Sequence, residues 1–240
     1  MKKSAIAVAL AALALAACGA EEKSSTANEV TYLSDYSLKG SRNFLTGYEP
    51  GPNVDGSYNM VVEIPANETA KWEICTAGAI ADAVAFPECQ GTSPGDRMVW
   101  EVTAGARRET MFLGYPGNYG SMPRTLALDG DPLDVVAIGG ALPKGSVSAV
   151  RVIGILDCDD GGDHDDKVIG LLPDSPLFAT VNDLTLSTPD NVPALAEILI
   201  TWFQSYKGAT SSLTGCVALG PSEAFTAIDA ATALFLAPPP

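Results

Sequence analysis

The chain has 240 residues, which is enough to bury one sizeable core. It carries 29 Asp and Glu residues against 14 Lys and Arg residues, for a formal net charge of −15. This balance argues against a nucleic-acid partner, because phosphate backbones are bound by basic surface. A small anion can still bind where metal ions or a few focused Lys and Arg side chains offset the negative field.

The first residues have the pattern of an export signal. Two lysines follow Met1, and the apolar run 5–17 is too short to cross a bilayer as a helix. Small residues precede Cys18, and a polar tail, residues 19–29, follows it. We interpret residues 1–17 as a bacterial lipoprotein signal and Cys18 as the lipidated first residue of an exported, periplasmic or cell-surface protein, lipid-anchored to a membrane. An ordinary secretory signal with a nearby cysteine is the alternative.

The next segment is predicted to be a flexible tether and N-terminal extension, residues 18–57, ahead of one folded domain, residues 58–236. In an oxidising compartment, the four remaining cysteines favour disulfides. Of the three possible pairings we favour Cys75–Cys89, the nearest in sequence, which leaves Cys158–Cys216. Buried free thiols are the alternative.

Short apolar and β-branched runs broken by Gly and Pro predict strands through the first part of the domain. These runs are residues 60–64, 71–75, 98–102, 135–138, 147–155 and 167–172. Residues 76–96 show no clear periodicity, so we interpret them as an insertion held by the Cys75–Cys89 bridge.

The last third changes to a helical period. Apolar residues between 192 and 207 recur at helical spacing, and Gly208 ends that pattern. A second, Ala-rich helix is predicted over residues 222–235. The chain is therefore predicted to be mainly β, with helices packed late.

Asp129, Asp131 and Asp134 place three carboxylates within six positions ahead of an apolar run. Carboxylates this close repel one another unless cations lie between them. Oxygen ligands at this density suit Mg²⁺, Mn²⁺ or Ca²⁺. A multi-His zinc site is excluded, because His164 is the only histidine.

A second acidic segment, residues 157–166, holds six aspartates and precedes Lys167. It partly resembles a calcium-binding EF-hand loop, but Val168 stands where the bidentate Glu is required. A solvated loop is a second alternative, and we favour metal ligation shared with the first acidic segment. His164 is expected to be solvated rather than catalytic.

Several short motifs occur in one order between residues 59 and 235. They are D-x-D-P-x-D at Asp129, Asp131 and Asp134; Y-P-x-N-Y-G at Tyr115 and Tyr119; E-I-P at Glu63; K-x-E at Lys71 and Glu73; D…D-x-K at Asp160, Asp165 and Lys167; and Y-K at Tyr206 and Lys207. A further G-S…G-I-L stretch follows Lys144, which replaces a proline of the usual motif. Together these motifs resemble those of the family I soluble inorganic pyrophosphatases.

The resemblance implies an OB-like five-stranded β-barrel with flanking C-terminal helices. It also implies hydrolysis of pyrophosphate to two phosphates with several Mg²⁺ ions, Mn²⁺ or another divalent ion being possible, and a possible homo-oligomer. The implied metal ligands are Asp129, Asp134, Asp160, Asp165 and Glu63, and the implied general base is Asp131. The implied catalytic or phosphate-binding partners are Tyr119, Arg107, Lys71, Glu73, Tyr115, Lys167, Tyr206 and Lys207.

Two of these positions have competitors. Arg108 and Arg97 lie near Arg107, and Asp159 can replace Asp160 because one residue is missing from the second segment relative to common members of the family. Two rival functions also stay open. One is a non-catalytic Ca²⁺-binding periplasmic lipoprotein, and the other is a phosphatase of organic polyphosphates.

Overall fold

The computed structural model describes residues 29–186, 194–208 and 213–237. The elements in chain order are β1 (Val30–Ser34), β2 (Ser37–Gly40), β3 (Tyr58–Ile64), β4 (Trp72–Ile74), α1 (Ala77–Ala81), β5 (Met98–Trp100), β6 (Val102–Thr103), β7 (Ala106–Arg107), β8 (Asn118–Ser121), β9 (Asp134–Ile138), β10 (Val147–Asp160), β11 (Asp163–His164), β12 (Lys167–Leu171), α2 (Ala194–Ser205), β13 (Leu213–Leu219) and α3 (Pro221–Leu236). A short 3-10 turn, Pro87–Cys89, follows α1.

Five strands close into a barrel. The order is β3-β8-β9-β12-β10, and β10 pairs back onto β3. Only the β9–β12 pair of this barrel is parallel. The long strand β10 pairs with four strands along its length, β3, β12, β13 and β11, and its register with β12 is irregular between Val152 and Gly154. A Cβ at Gly154 would lie 2.4 Å from the carbonyl oxygen of Leu219, so a larger residue does not fit there.

Each face of the barrel wall is covered by a helix. Successive residues of a strand point to opposite faces. On β9, Val136 belongs to the apolar cluster that includes α2, whereas Val135 and Ala137 belong to the cluster that includes α3. The prediction of a mainly β fold, with a five-stranded barrel and flanking C-terminal helices, is confirmed.

A second sheet lies beside the barrel, in the order β1-β2-β5-β4. Its first two strands come from the predicted N-terminal extension. Leu38 and Phe44 of that extension are fully buried in the main apolar cluster. Residues 30–57 are therefore part of the folded domain. The signal 1–17, Cys18 and nearly all of the tail lie outside the described residues.

Both expected disulfides are present. Cys75–Cys89 closes a sequence separation of 14 residues, and Cys158–Cys216 closes one of 58 residues. In the chain-entropy model, these separations correspond to about 3 and about 4 kcal/mol of stabilisation. The first bridge ties down the insertion, which contains α1 and the 3-10 turn.

The six predicted strands and both predicted helices are present, with their ends shifted by a few residues or, at β10, by five. Strands that the pattern did not predict are β1, β2, β6, β7, β8, β11 and β13. No helix within the described ranges is long and apolar enough to cross a membrane.

Candidate active site

A cleft of about 440 Å³ opens at one end of the barrel. The predicted site residues that line it are Glu63, Lys71, Glu73, Tyr119, Asp129, Asp131, Asp134, Asp160, Asp165, Tyr206 and Lys207. The cleft therefore gathers acidic and basic groups that lie up to 144 positions apart, from Glu63 to Lys207. Lys167 contacts two of the lining carboxylates.

The two acidic segments meet because of the one parallel strand pair. Asp134 begins β9 and Lys167 begins β12, and these two residues are paired in the β9–β12 register. Parallel strands start at the same edge of a sheet, so the residues that precede β9 and β12 come together there. Asp165, two residues before Lys167, therefore lies beside Asp134.

Lys167 joins the two acidic segments. Its Nζ lies 3.1 Å from Asp134 Oδ2 and 2.6 Å from Asp165 Oδ1, and it also donates to the carbonyl oxygen of Asp165 at 3.2 Å. The side chain is 4% exposed. Burial lowers the pKa of Lys167, but the Asp134 and Asp165 carboxylates outweigh burial and raise it. Lys167 is therefore a cation between two carboxylates.

Asp134 is held from a second side by Tyr119. The Tyr119 hydroxyl donates to Asp134 Oδ2 at 2.5 Å. Burial raises the pKa of Asp134, and the Lys167 ammonium offsets this only in part. Burial also raises the pKa of Tyr119 far above its usual value, with a further contribution from Asp134. Tyr119 is therefore a fixed hydrogen-bond donor to this carboxylate.

Glu63 and Lys71 lie deep in the cleft. Glu63 is 3% exposed and accepts a hydrogen bond from Ser121 Oγ at 2.8 Å. Burial and the nearby Glu73 raise its pKa well above the usual range, while Lys71 acts in the opposite direction. Lys71 forms an ion pair with Glu73, and its Nζ lies 4.5 Å from the centre of the Tyr119 ring.

Asp129 and Asp131 lie on the turn that leads into β9. Gly130 has φ of 93°, which is accessible to glycine and lets the chain reverse there. The reversal brings the Asp131 N–H within 3.0 Å of Asp129 Oδ1. Burial and the neighbouring carboxylates raise the pKa of Asp129 to about 6. The Asp131 side chain is exposed to the cleft and accessible to a reactant.

Asp159 and Asp160 differ in where each side chain points. Asp160 lines the cleft, and its Oδ2 accepts a hydrogen bond from Lys207 Nζ at 2.8 Å. Asp159 is exposed, and its Oδ1 accepts a hydrogen bond from the Gly162 N–H at 2.9 Å. Adjacent strand residues face opposite ways, so only Asp160 faces the cleft.

Basic and aromatic residues also line the cleft. Arg108, Tyr206, Lys207 and Lys71 line both the cleft and a second cavity of about 330 Å³ behind it. Tyr115 also lines the second cavity. Its hydroxyl is buried and has no hydrogen-bond partner among the described residues. Such a donor beside three cations suits an anionic oxygen.

The placement of Arg107 in the phosphate pocket is wrong. Arg107 forms an ion pair with Glu88, donates to the Trp100 carbonyl oxygen at 2.5 Å, and lies 4.0 Å above the Tyr36 ring. Arg108, its neighbour, lines both cavities and pairs with Glu101 at 2.7 Å. Side chains alternate across an extended strand, so two adjacent arginines cannot share a face.

Arg97 also lies away from the cleft and donates to the carbonyl oxygen of Glu88. His164 is exposed at the cleft rim, and its ring lies within 4.8 Å of ligand oxygens from Asp157 and Asp166.

The sequence reasoning missed part of the cleft wall. The insertion contributes Thr76, Gly78, Ala79, Asp82 and Phe86. Its anchoring by the Cys75–Cys89 bridge could have indicated this, because Cys75 lies two residues from Glu73. The bridge therefore keeps the insertion beside the site.

Residues 60–234 match the family described as Inorganic pyrophosphatase. The inorganic pyrophosphatase of Nostoc is 41% identical over 101 residues, covering 42% of this chain and 57% of that protein. The soluble inorganic pyrophosphatase of Zea mays is 29% identical over 160 residues, covering 66% and 63%. The inorganic pyrophosphatase of Sulfolobus acidocaldarius is 32% identical, covering 66% and 78%.

Solved structures show the same fold. The type I inorganic pyrophosphatase of Toxoplasma gondii superposes with a TM-score of 0.71 at 26% identity, covering 87% of this chain and 97% of that one. The Thermus thermophilus inorganic pyrophosphatase gives 0.61 at 25% identity, covering 81% and 99%. Against the first two sequence relatives above, the match spans less than two thirds of their length, 57% and 63%.

Proposed function

Since the chain belongs to the inorganic pyrophosphatase family, we propose that it hydrolyses inorganic pyrophosphate to two phosphates with divalent cations, Mg²⁺ being the ordinary one. The observation that carries the proposal is one cleft that gathers carboxylates from two distant segments together with the cations Lys71, Arg108 and Lys207.

The carboxylates of the cleft fit divalent cations. They belong to Asp129, Asp134, Asp160, Asp165 and Glu63. Mg²⁺ and Mn²⁺ prefer such hard oxygen ligands. The raised pKa values of Asp129, Asp134 and Glu63 indicate carboxylates that lie close to other acidic groups and are at least partly shielded from water. Bound cations would relieve this repulsion, and they would supply an acidified water and charge neutralisation for the reaction.

The basic groups that line the cleft fit the substrate. Pyrophosphate presents several anionic oxygens, and guanidinium and ammonium groups bind them through charge-assisted hydrogen bonds. Lys71, Arg108, Lys207 and the hydroxyls of Tyr115 and Tyr206 converge on the two adjoining cavities. The same groups can hold both phosphates and stabilise the charge that develops on the leaving one.

Asp131 is the candidate general base. Its carboxylate is exposed in the cleft between the ligand residues Asp129 and Asp134. We propose that it accepts the proton of the attacking water.

Lys167 has a supporting role, because all of its N–H donors already bind Asp134 and Asp165. A contact from Lys167 to phosphate therefore requires exchange of one of these bonds.

The decisive experiment measures phosphate released from pyrophosphate by the purified full chain, with and without Mg²⁺. We expect release that depends on Mg²⁺. Asp131→Asn should lower kcat by roughly 10²- to 10⁴-fold, the usual contribution of a general base. Asp159→Asn is the matched control, because it removes a charge from the second acidic segment outside the cleft, and it should stay within about threefold of wild type.

The rival functions give different outcomes. Calcium-dependent thermal stabilisation without any phosphate release would identify a non-catalytic calcium-binding protein. Faster release from an organic triphosphate than from pyrophosphate would identify a phosphatase of organic polyphosphates. Undiminished turnover in Asp131→Asn would overturn the assignment of the base while keeping the enzyme.

We also propose that the chain is exported and lipid-anchored through Cys18. The basic start, the short apolar run and the small residues before Cys18 support this. The two disulfides are compatible with an oxidising compartment. We expect the chain to incorporate labelled palmitate and Cys18→Ala to abolish this incorporation.

We also propose that the chain is a homo-oligomer. Light scattering of the detergent-purified chain tests this.

A further inference from the structure

We propose that the Cys158–Cys216 disulfide positions the metal-binding carboxylates of the second acidic segment, so that the affinity for divalent cations depends on this bridge. This inference rests on the proposed function. It assigns a role in the reaction to two residues that touch neither substrate nor metal. They are positioning residues, acting through Asp160 and Asp165.

The backbone of Cys158 holds the second segment directly. Its carbonyl oxygen accepts the Asp165 N–H at 3.0 Å. Its own N–H donates to Asp166 Oδ1 at 3.3 Å. Cys158 is 2% exposed. One of the contacts that hold Asp165 in the cleft therefore comes from the backbone of a bridged cysteine.

The tip of β10 lies outside the barrel wall. Pairing with β12 ends at Leu156, so the residues after it leave the barrel wall. On one side they pair with β11, which has only two residues, both exposed. On the other side they pair with β13. Cys158 and Asp160 both lie in this projecting part.

The bridge lies where the β10–β13 ladder is interrupted. Asp157 pairs with Val217, and Asp159 pairs with Thr214, so the register shifts across Cys158. A register shift leaves local backbone groups out of the regular ladder. The Cys158–Cys216 bond joins the two strands at this point. It therefore supplies a connection that regular pairing does not supply.

The Asp160 carboxylate lies close to this connection. Asp160 lies two residues after Cys158, and its carboxylate binds Lys207 at 2.8 Å. Leu213, the first residue of β13, pairs with Asp160 in the ladder. Without the bridge, the Asp160 carboxylate and the backbone contact to Asp165 can shift together. Ligands held less firmly bind a metal ion less tightly.

The other disulfide is a matched control. Cys75–Cys89 also lies next to the cleft. However, the neighbouring Glu73 and Ile74 are already held by the β4–β5 ladder, opposite Val99 and Met98. Removing this bridge should lower thermal stability without changing the position of the proposed metal ligands, none of which lies in the insertion.

The experiment compares Cys158→Ala/Cys216→Ala with Cys75→Ala/Cys89→Ala in the full chain. Titration calorimetry with MnCl₂ alone measures metal affinity, and phosphate release at varied Mg²⁺ gives the half-saturating concentration. Melting temperatures are recorded for both variants. We expect the first variant to lose about 10- to 100-fold in metal affinity, as for other residues that orient ligands. The second should stay within about twofold at 25 °C.

Equal Mn²⁺ affinities for wild type and Cys158→Ala/Cys216→Ala would overturn the proposal, as would an equal loss in both variants. If the first variant does not fold, wild type is partly reduced with dithiothreitol below its melting temperature, and mass spectrometry identifies the opened bridge. Metal affinity must then fall only where Cys158–Cys216 is open. Because calorimetry needs no turnover, a wild type that lacks pyrophosphatase activity would count against the proposed function alone.

Discussion

Separate replacement of the two adjacent arginines tests which of them binds a phosphate of the substrate. Arg108 lines both cavities, whereas Arg107 is bound to Glu88 of the insertion. Each is replaced by Gln, which keeps the size and polarity and removes the charge. Only Arg108→Gln should impair the reaction.

The magnitude follows from the contacts. Arg108 donates to both carboxylate oxygens of Glu101 through Nη1, at 2.9 and 2.7 Å, so its other N–H donors can bind a phosphate oxygen. Loss of one preorganised donor to developing charge costs about 10²- to 10³-fold, or about 2.7–4 kcal/mol. Arg107→Gln should instead cost about 1.5–3 kcal/mol of stability, through its charged hydrogen bonds.

The assay is kcat/KM for pyrophosphate at saturating Mg²⁺, together with the melting temperature. For a chain of this size, that stability loss corresponds to a fall of roughly 3–12 °C. Glu101→Gln is a control that weakens the Arg108 ion pair and keeps the guanidinium. A loss of kcat/KM in Arg107→Gln as large as that in Arg108→Gln would refute the assignment.

Two further predictions concern the acidic side. Tyr119→Phe removes the 2.5 Å hydrogen bond to Asp134, and the half-saturating Mg²⁺ concentration should rise about 10- to 100-fold. An unchanged Mg²⁺ titration would contradict this. The pKa of Asp129 is raised to about 6, so its folded-state value lies above the unfolded one. The favourable contribution of protonated Asp129 is complete at low pH and is lost as pH rises through about 6. In EDTA, the melting temperature of wild type minus that of Asp129→Asn should therefore fall between pH 4.5 and 7, and a flat difference would exclude this.

The chemistry of the cleft could be predicted from the sequence because most of its groups lie in short motifs. Asp129, Asp131 and Asp134 lie within six positions, and their spacing already indicates hard metal ions. The apolar runs around them also predicted six strands correctly. Strands such as β8 and β13 were missed because their Gly, Ser and Thr residues weaken the apolar pattern.

Side-chain direction could not be predicted in the same way. Arg107 and Arg108 are equivalent in a sequence count, and so are Asp159 and Asp160. Which residue of each pair faces the cleft depends on strand alternation and register, and a shift of one residue inverts the answer. The contribution of the insertion was missed for a similar reason, because it depends on what packs beside Glu73 rather than on a motif.

The sequence by itself determined the residue types available for catalysis, their local spacing and the late helical segments, since these depend on covalent neighbours. Only the tertiary structure decided that the Asp134 and Asp165 carboxylates both bind the Lys167 ammonium, that Arg108 rather than Arg107 faces the cleft, and that a disulfide joins the tip of β10 to β13. Strand alternation explains the arginines, and the parallel β9–β12 pair explains why the two acidic segments meet. This pair aligns the starts of two strands that are 33 residues apart and so builds one site from two acidic segments.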